Sequence, residues 1–273
     1  MGWSSFMVRW LKRSVRITMQ SIGGLPLGRR YCCICQNSIA MFMPGSLPMY
    51  RDKIGWGFTP PLMEALDVIG SDLAQFNCPR CGCHDRERHL SLYLTSTGVA
   101  ARIRDAHILH FAPEKWIKAI IDAQKPRKYV RCDLYPSSPE IEKVDMLNIP
   151  YPNEAFDIII ANHVLEHVSN YKLALCELKR VLKKGGVAIL QTPYSRKLEH
   201  TICDDGIDTK LARTLVYGQD DHVRLFGADI FTEIESVGFK SRVSSHAASL
   251  PNIDAKFFGV NFDEPFFLFE RIE

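Results

Sequence analysis

From Ala106 onward, short and almost wholly apolar runs alternate with stretches whose apolar residues recur at helical spacing. The runs predict buried strands over 107–111, 129–133, 142–145, 156–161, 187–191, 239–244 and 266–269. The amphipathic stretches predict helices over 116–124, 171–182 and 228–237. Such alternation implies βαβ units and a mostly parallel sheet, an α/β fold. The pattern is clearest between Phe156 and Pro193. There the polar Pro152-Asn153-Glu154 gives way to an unbroken apolar run ending at Ala161, as expected of a strand covered on both faces. Ser169 or Asn170 can cap the next helix, whose Tyr171, Leu175, Leu178 and Leu182 share a face. Lys183 and Lys184 suit the negative end of that helix, and Gly185 suits a left-handed stop.

The first hundred residues read differently. Residues 1–20 predict a helix, 21–30 a Gly/Pro/Arg linker, 31–85 a cysteine-bracketed segment rich in Pro and Gly, and 86–98 another helix. The organisation expected is therefore 1–30 as a basic helix and linker, 31–98 as a metal-binding module with its connecting helix, and 99–273 as the α/β domain.

Composition is that of an ordinary globule, with 46% hydrophobic and 24% charged residues. The net charge of +3 hides an asymmetry. Arg9, Lys12, Arg13, Arg16, Arg29, Arg30 and Arg51 precede the first acid, so the remainder carries more acid than base. Arg9, Lys12, Arg13 and Arg16 fall on one narrow helical face, with Trp3, Phe6, Met7 and Trp10 among the residues covering the rest. Residues 1–20 are thus a candidate for peripheral contact with an anionic membrane surface. A helix packed on its own protein, or a disordered tail, is the open alternative. No apolar run approaches the roughly 20 residues that span a bilayer, and no signal-peptide pattern is present, so a cytoplasmic location is expected.

Cys32-x-x-Cys35 and Cys78-x-x-Cys81 form two knuckles. Such spacing lets both sulfurs of a pair reach one ion, and four thiolates give zinc a closed tetrahedral site, hence a structural role. Cys33, Cys83 and His84 are further candidate ligands, whereas Cys132, Cys176 and Cys203 read as packed thiols. In open α/β sheets ligands bind beyond the carboxyl ends of the strands. That rule puts Asn162 and His163 in the candidate pocket, with His110 and Asp133 at equivalent places.

Residues 106–270 resemble a class I S-adenosylmethionine-dependent methyltransferase of the type 11 group. The resemblance is carried by Phe156-Asp157, by His163-Val-Leu-Glu-His167 and by Leu178-Lys-Arg-Val-Leu-Lys-Lys-Gly-Gly186. It implies a Rossmann-like seven-stranded sheet whose last strand, here 266–269, runs antiparallel. An uncharacterised subgroup is similar in more detail. It places two Cys-x-x-Cys pairs before the domain and has motifs like Asp85-Arg-Glu-Arg-His-Leu90, His110-Phe-Ala-Pro-Glu114 and Gly218-Gln-Asp-Asp-His-Val-Arg224.

The departure lies in the first loop, where the family usually has an acid and then Gly-x-Gly-x-Gly. Here His110 takes the acidic position, Ala112 replaces the first glycine and Glu114 falls at the second. Two readings stay open: cofactor binding through His110, Phe111, Ala112 and Glu114, with Glu114 reaching the cofactor's amino group, or loss of binding. By resemblance Asp133 accepts the ribose hydroxyls, Asp145 and Met146 hold the adenine, and Asn162 lies beside the cofactor. The sequence names three candidates for catalysis. His163 directly follows its strand, and Asp221 with His222 forms a loop pair able to act as a general base or to stay a solvated surface pair. Glu166 and His167 read as structural residues of a helix start, and Arg224 as a loop residue near the acceptor. Arg86, Arg88 and His89 could lid the pocket, recognise an anion, or form a solvated face.

The activity implied is methyl transfer to oxygen or nitrogen of a small-molecule or glycan acceptor by in-line displacement, with S-adenosylmethionine as cofactor and structural zinc. The catalytic domain is not basic and lacks a basic stripe interleaved with aromatics, so nucleic acid ranks below these acceptors. A cofactor-free scaffold or zinc-binding interaction protein and an RNA-modifying methyltransferase are the rival readings.

Overall fold

The computed structural model describes residues 18–25, 28–45 and 59–272. The expected basic helix therefore lies almost wholly outside the described residues. Among the described residues no helix is long and apolar enough to cross a membrane.

Two compact units divide the chain, and they do not follow the linear order expected. The first gathers 1–58, 71–89 and 252–261; the second gathers 59–70, 90–251 and 262–273. A ten-residue segment from near the C-terminus, 252–261, belongs to the cysteine unit, and residues 59–70, with the strand Val68–Ile69, belong to the other.

In the first unit a hairpin pairs β1 (Arg30–Cys32) with β2 (Asn37–Ile39), Cys32 standing opposite Asn37. Its turn carries Cys33 and Cys35 and closes through Gln36 at φ 54°. The short helix Ala255–Phe258 packs on β1, with Phe257 stacked on Tyr31 at 6.3 Å and Phe258 edge-on at 5.8 Å. Gly259 ends that helix at φ 62°, where a Cβ would lie 2.2 Å from Phe42, so no other residue fits.

Arg88 holds this unit together and is fully buried. Its Nε donates to the carbonyls of Phe258 (3.1 Å) and Gly259 (3.2 Å). Nη1 reaches Phe76 and Cys83, and Nη2 reaches Gln75 and Gly259. The guanidinium also lies 3.9 Å from the centre of the Phe42 ring. A buried arginine is tolerated only when its donors are satisfied. This network excludes Arg88 as a pocket lid or anion receptor, and His89, 2% exposed, is equally withdrawn from solvent.

In the second unit β3 (Val68–Ile69) pairs antiparallel with β9 (Tyr194–Ser195). The main sheet holds β4 (His107–Phe111), β5 (Lys128–Asp133), β6 (Glu142–Lys143), β7 (Phe156–Ala161), β8 (Leu182–Ile189), β10 (Phe239–Ser241) and β11 (Leu268–Arg271). They lie in the order β10-β11-β8-β7-β4-β5-β6, with β11 antiparallel to both neighbours. This is the seven-stranded sheet with one reversed strand that the family resemblance implies. Strands β4 and β7 are buried on both faces and pair in parallel at its centre.

Helix Tyr171–Val181 is capped by Asn170, whose side chain accepts from Leu173 N at 3.1 Å. Its buried face is Ala174, Leu175, Leu178 and Val181. Gly185 does not stop this helix: Leu182 is already extended and opens β8. The left-handed φ of 70° at Gly185 falls inside that strand, where β7 and β8 shift register. Lys183 accordingly pairs with Asp157 at 2.8 Å instead of serving the helix end. Cys176 and Cys203 are exposed, contrary to the packed thiols expected; Cys132 is buried.

Candidate active site

The chain order steps outward from β4 through β5 to β6, then returns to β7, so β4 and β7 flank the switch point of the sheet. A cavity of about 540 Å³ opens beyond the carboxyl ends of these strands. That size lies within the range of roughly 300–1,000 Å³ typical of small-molecule sites.

The sequence candidates divide around it. Phe111, Ala112, Asp133, Asp145, Met146, His163 and Asp221 line the cavity. His110, Glu114, Asn162 and His222 do not. They stand behind the lining and hold parts of it in place.

Asp133 ends β5, and its Oδ1 accepts from Tyr135 N at 2.8 Å. The Oδ1 of Asp145 closes a turn onto Leu147 N at 2.9 Å, so the turn reading holds there alongside its place in the lining. Ala112 has φ 45°, the left-handed conformation that non-glycine residues rarely adopt. Its N–H is tied to Cys132 O at 2.9 Å.

The loop that follows β4 is braced from below. His110, fully buried, places Nε2 3.1 Å from Glu114 Oε2 and Nδ1 2.8 Å from the Tyr129 hydroxyl. Asn162 Nδ2 donates to the other Glu114 oxygen at 2.5 Å. Glu114 also occupies the N-cap position of the helix Lys115–Ala123, without a side-chain capping bond but where the helix dipole favours a carboxylate. Burial pushes its pKa up, but the hydrogen bond and charge of His110 outweigh that and leave it below the usual carboxylate range. Both Glu114 oxygens are therefore engaged by protein groups, one hydrogen-bond partner on each.

A second cluster lies past β7. His163, at φ 56°, donates its backbone N–H to Gln191 O at 2.7 Å. Its Nδ1 is 3.4 Å from Glu166 Oε1 and its Nε2 3.4 Å from Glu264 Oε1. Glu166, 1% exposed, accepts from Thr192 Oγ1 at 3.0 Å. Its burial works against ionisation, yet His163, His167 and His222 together hold its pKa well below the ordinary value. His222 places Nδ1 2.8 Å from Tyr217 O, and burial lowers its pKa. Arg224 is not an acceptor contact: it is buried and donates to the carbonyls of Leu165, Val168 and Ser169, fixing the turn that carries Glu166.

Three features escaped the sequence reading. His167 lines the cavity instead of serving only as a helix-start residue. Tyr135, 81% exposed, stands with Leu134 at the cavity. Glu264, 3% exposed, meets His163 from a distant part of the chain. The Glu-His pair after a strand could have signalled His167; nothing local could have signalled Glu264.

Four sulfurs converge in the first unit, those of Cys32, Cys78, Cys81 and Cys83, all within 4.8 Å of one another. Cys32 Sγ is 3.8 Å from Cys81 Sγ and 3.5 Å from Cys83 Sγ. Cys35 Sγ stands 3.9 Å from Cys78 Sγ but outside that foursome. Tetrahedral zinc with bonds of about 2.3 Å separates its sulfurs by about 3.8 Å, so the donor set and the spacing fit such an ion. The grouping replaces Cys35 by Cys83, because the turn at Gly82 brings Cys83 back: its carbonyl accepts from Cys78 N at 2.9 Å.

Residues 114–190 match the model of a family described as a methyltransferase domain. No curated protein matches the chain. Among solved structures, the YcgJ protein of Bacillus subtilis has 20% identity and a TM-score of 0.42, over 60% of this chain and 76% of its own. An S-adenosylmethionine dependent methyltransferase from Mesorhizobium loti has 14% identity and a TM-score of 0.42, over 64% of this chain and 94% of its own. The family match runs from Glu114, in the loop after β4, to Leu190, just past the end of β8, so this stretch of the second unit is similar to a methyltransferase domain.

Proposed function

We propose that the cavity retains its cofactor and that the chain methylates oxygen or nitrogen of a small-molecule or glycan acceptor. The observation that carries this reading is Ala112: without glycine, the loop still holds the left-handed turn that lets backbone lie against a ligand. When bound, S-adenosylmethionine supplies a methyl group already electrophilic enough to need no protein nucleophile. The chain's own residues then have to bind, align and exclude water.

In this reading the Asp133 carboxylate takes the ribose diol, since two oxygens suit two adjacent hydroxyls. Asp145 and Met146 border the adenine. His110, Glu114 and Asn162 hold the loop without touching the ligand. Alignment of this kind can supply roughly 7–11 kcal/mol. Asp221 and His163 face the cavity and are assigned to the acceptor. Either would add a factor of about 10²–10⁴ as a base if the acceptor carries a proton to be removed. His222, behind the lining, positions this cluster. We also assign structural zinc to Cys32, Cys78, Cys81 and Cys83, and the chain to the subgroup with paired Cys-x-x-Cys motifs.

Calorimetric titration of the zinc-replete full chain with S-adenosylhomocysteine tests the reading. Saturable binding that weakens in Asp133→Ala is expected. Absence of binding would leave the cofactor-free scaffold ahead, and a salt-dependent RNA mobility shift would promote the RNA-modifying alternative.

A further inference from the structure

The Glu166, His167 and His222 cluster has a geometry that hydrogen bonding alone does not explain. A metal-ligating atom of each lies within 4.8 Å of those of the other two. His222 Nδ1 faces a carbonyl, Tyr217 O at 2.8 Å, and a carbonyl only accepts, so the ring proton sits on Nδ1. The lone pair of a neutral ring is then on Nε2, which faces Glu166 Oε1 across 4.0 Å. Two acceptors therefore confront each other at a separation too long for a hydrogen bond.

His167 repeats the arrangement. Its Nδ1 has Asp221 O at 3.3 Å and the Asp221 carboxylate at 3.4 Å, acceptors both, which leaves its Nε2 with the lone pair. The two imidazole rings stand 4.8 Å apart at 81°, convergent and not stacked. Glu166 is steadied by the Thr192 hydroxyl on Oε2, with His163 Nδ1 and His222 Nε2 both nearest to Oε1.

We infer that Glu166, His167 and His222 form a second metal site, distinct from the cysteine cluster, that takes a divalent first-row transition ion beside the cavity. Two imidazoles and one carboxylate are a donor set for such ions, at bonds of about 2.0–2.2 Å, with at least one position left open. Each proposed ligand has the outer partner such sites use: Tyr217 O for His222, Asp221 for His167, Thr192 for Glu166. Because His167 and Asp221 line the cavity, the proposed site borders it, and an open position on the His167 side would face the space proposed for the acceptor. It suits an oxygen ligand, water or an acceptor hydroxyl. That last clause rests on the proposed methyl transfer; the metal site does not.

Mn²⁺ separates this site from the thiolates, because it prefers carboxylate and water oxygen to thiolate sulfur. The zinc-replete full chain is titrated with Mn²⁺ and free ion is followed by its paramagnetic resonance signal. One equivalent should bind. His167→Ala, a half-buried position able to accept the change, should weaken Mn²⁺ binding by more than tenfold, and Asp221→Ala, which removes the outer carboxylate but no proposed ligand, by about tenfold. No binding at millimolar Mn²⁺, or equal binding by His167→Ala, overturns the site. The same samples are titrated with S-adenosylhomocysteine. Cofactor binding without Mn²⁺ binding defeats the metal site alone, and Mn²⁺ binding without cofactor binding upholds it while defeating methyl transfer.

Discussion

Removing the Glu114 carboxylate is the sharpest perturbation of the first loop. In Glu114→Ala, His110 loses the partner at 3.1 Å on Nε2, and Asn162 loses the one at 2.5 Å on Nδ2. His110 is fully buried and Asn162 is 6% exposed, so water replaces neither bond freely. Hydrogen bonds to a charged group contribute about 1.5–3 kcal/mol each. The Glu114 side chain is itself 22% exposed, which reduces the total to about 2–4 kcal/mol. At about 2–4 °C per kcal/mol for a domain of this size, the melting temperature should fall by roughly 5–15 °C. Thermal denaturation at pH 7, with urea unfolding as the second measure, reads the effect. Acid titration supplies a sign. The folded pKa of Glu114 lies below its ordinary value, so the carboxylate stabilises the fold at neutral pH. That contribution is lost as pH falls from the unfolded value of about 4.3 through the folded one. Glu114→Gln should therefore flatten the loss of stability below pH 4.5. A cost under 1 kcal/mol in Glu114→Ala, or an unchanged acid limb in Glu114→Gln, would refute the bracing role.

Other outcomes follow from the same geometry. Arg88→Met should cost at least about 3 kcal/mol in urea unfolding, because it strips donors from the buried carbonyls of Gln75, Phe76, Cys83, Phe258 and Gly259. Cys83→Ser should lower zinc content by elemental analysis more than Cys35→Ser does; equal losses would restore the two-knuckle ligand set. Asp133→Ala should weaken S-adenosylhomocysteine binding by about 10–100-fold, the loss of two charge-assisted hydrogen bonds, with a melting temperature close to that of the parent.

Strands buried on both faces were legible because their apolar runs are continuous: β4 and β7 begin and end where the pattern does. β8 begins at Leu182, five residues before the apolar run, because Lys183, Lys184 and Gly185 carry no strand signal of their own. β11 starts two residues later than the apolar run, since Phe266 and Phe267 are core residues that precede the ladder. Of the site, strand-end positions were legible and partners were not. Asp133 and His163 follow from topology, whereas His163 finds Glu264, and Arg88 finds carbonyls 170 and 171 residues away, only after folding. Charge pattern alone misread Arg88 for the same reason: an arginine that serves carbonyls looks like one that serves solvent.

The loop after β4 shows how a departure from a family pattern can keep its geometry. Glycine adopts a left-handed φ at little cost, whereas alanine incurs about 1–2 kcal/mol. Ala112 at φ 45° must therefore be held there. The hold is the shared Glu114 carboxylate, worth about 2–4 kcal/mol by the reasoning above, together with the Ala112 N–H bond to Cys132 O. The restraint exceeds the strain, so the turn persists without glycine. It also changes how the site binds. A braced loop has already lost conformational freedom in folding, and preorganisation lowers the entropic cost of binding. In the proposed function, Glu114, His110 and Asn162 thus act on affinity through loop order. Glu114→Ala should weaken cofactor binding while Ala112→Gly in the same background restores part of it, because glycine needs no hold to take the turn.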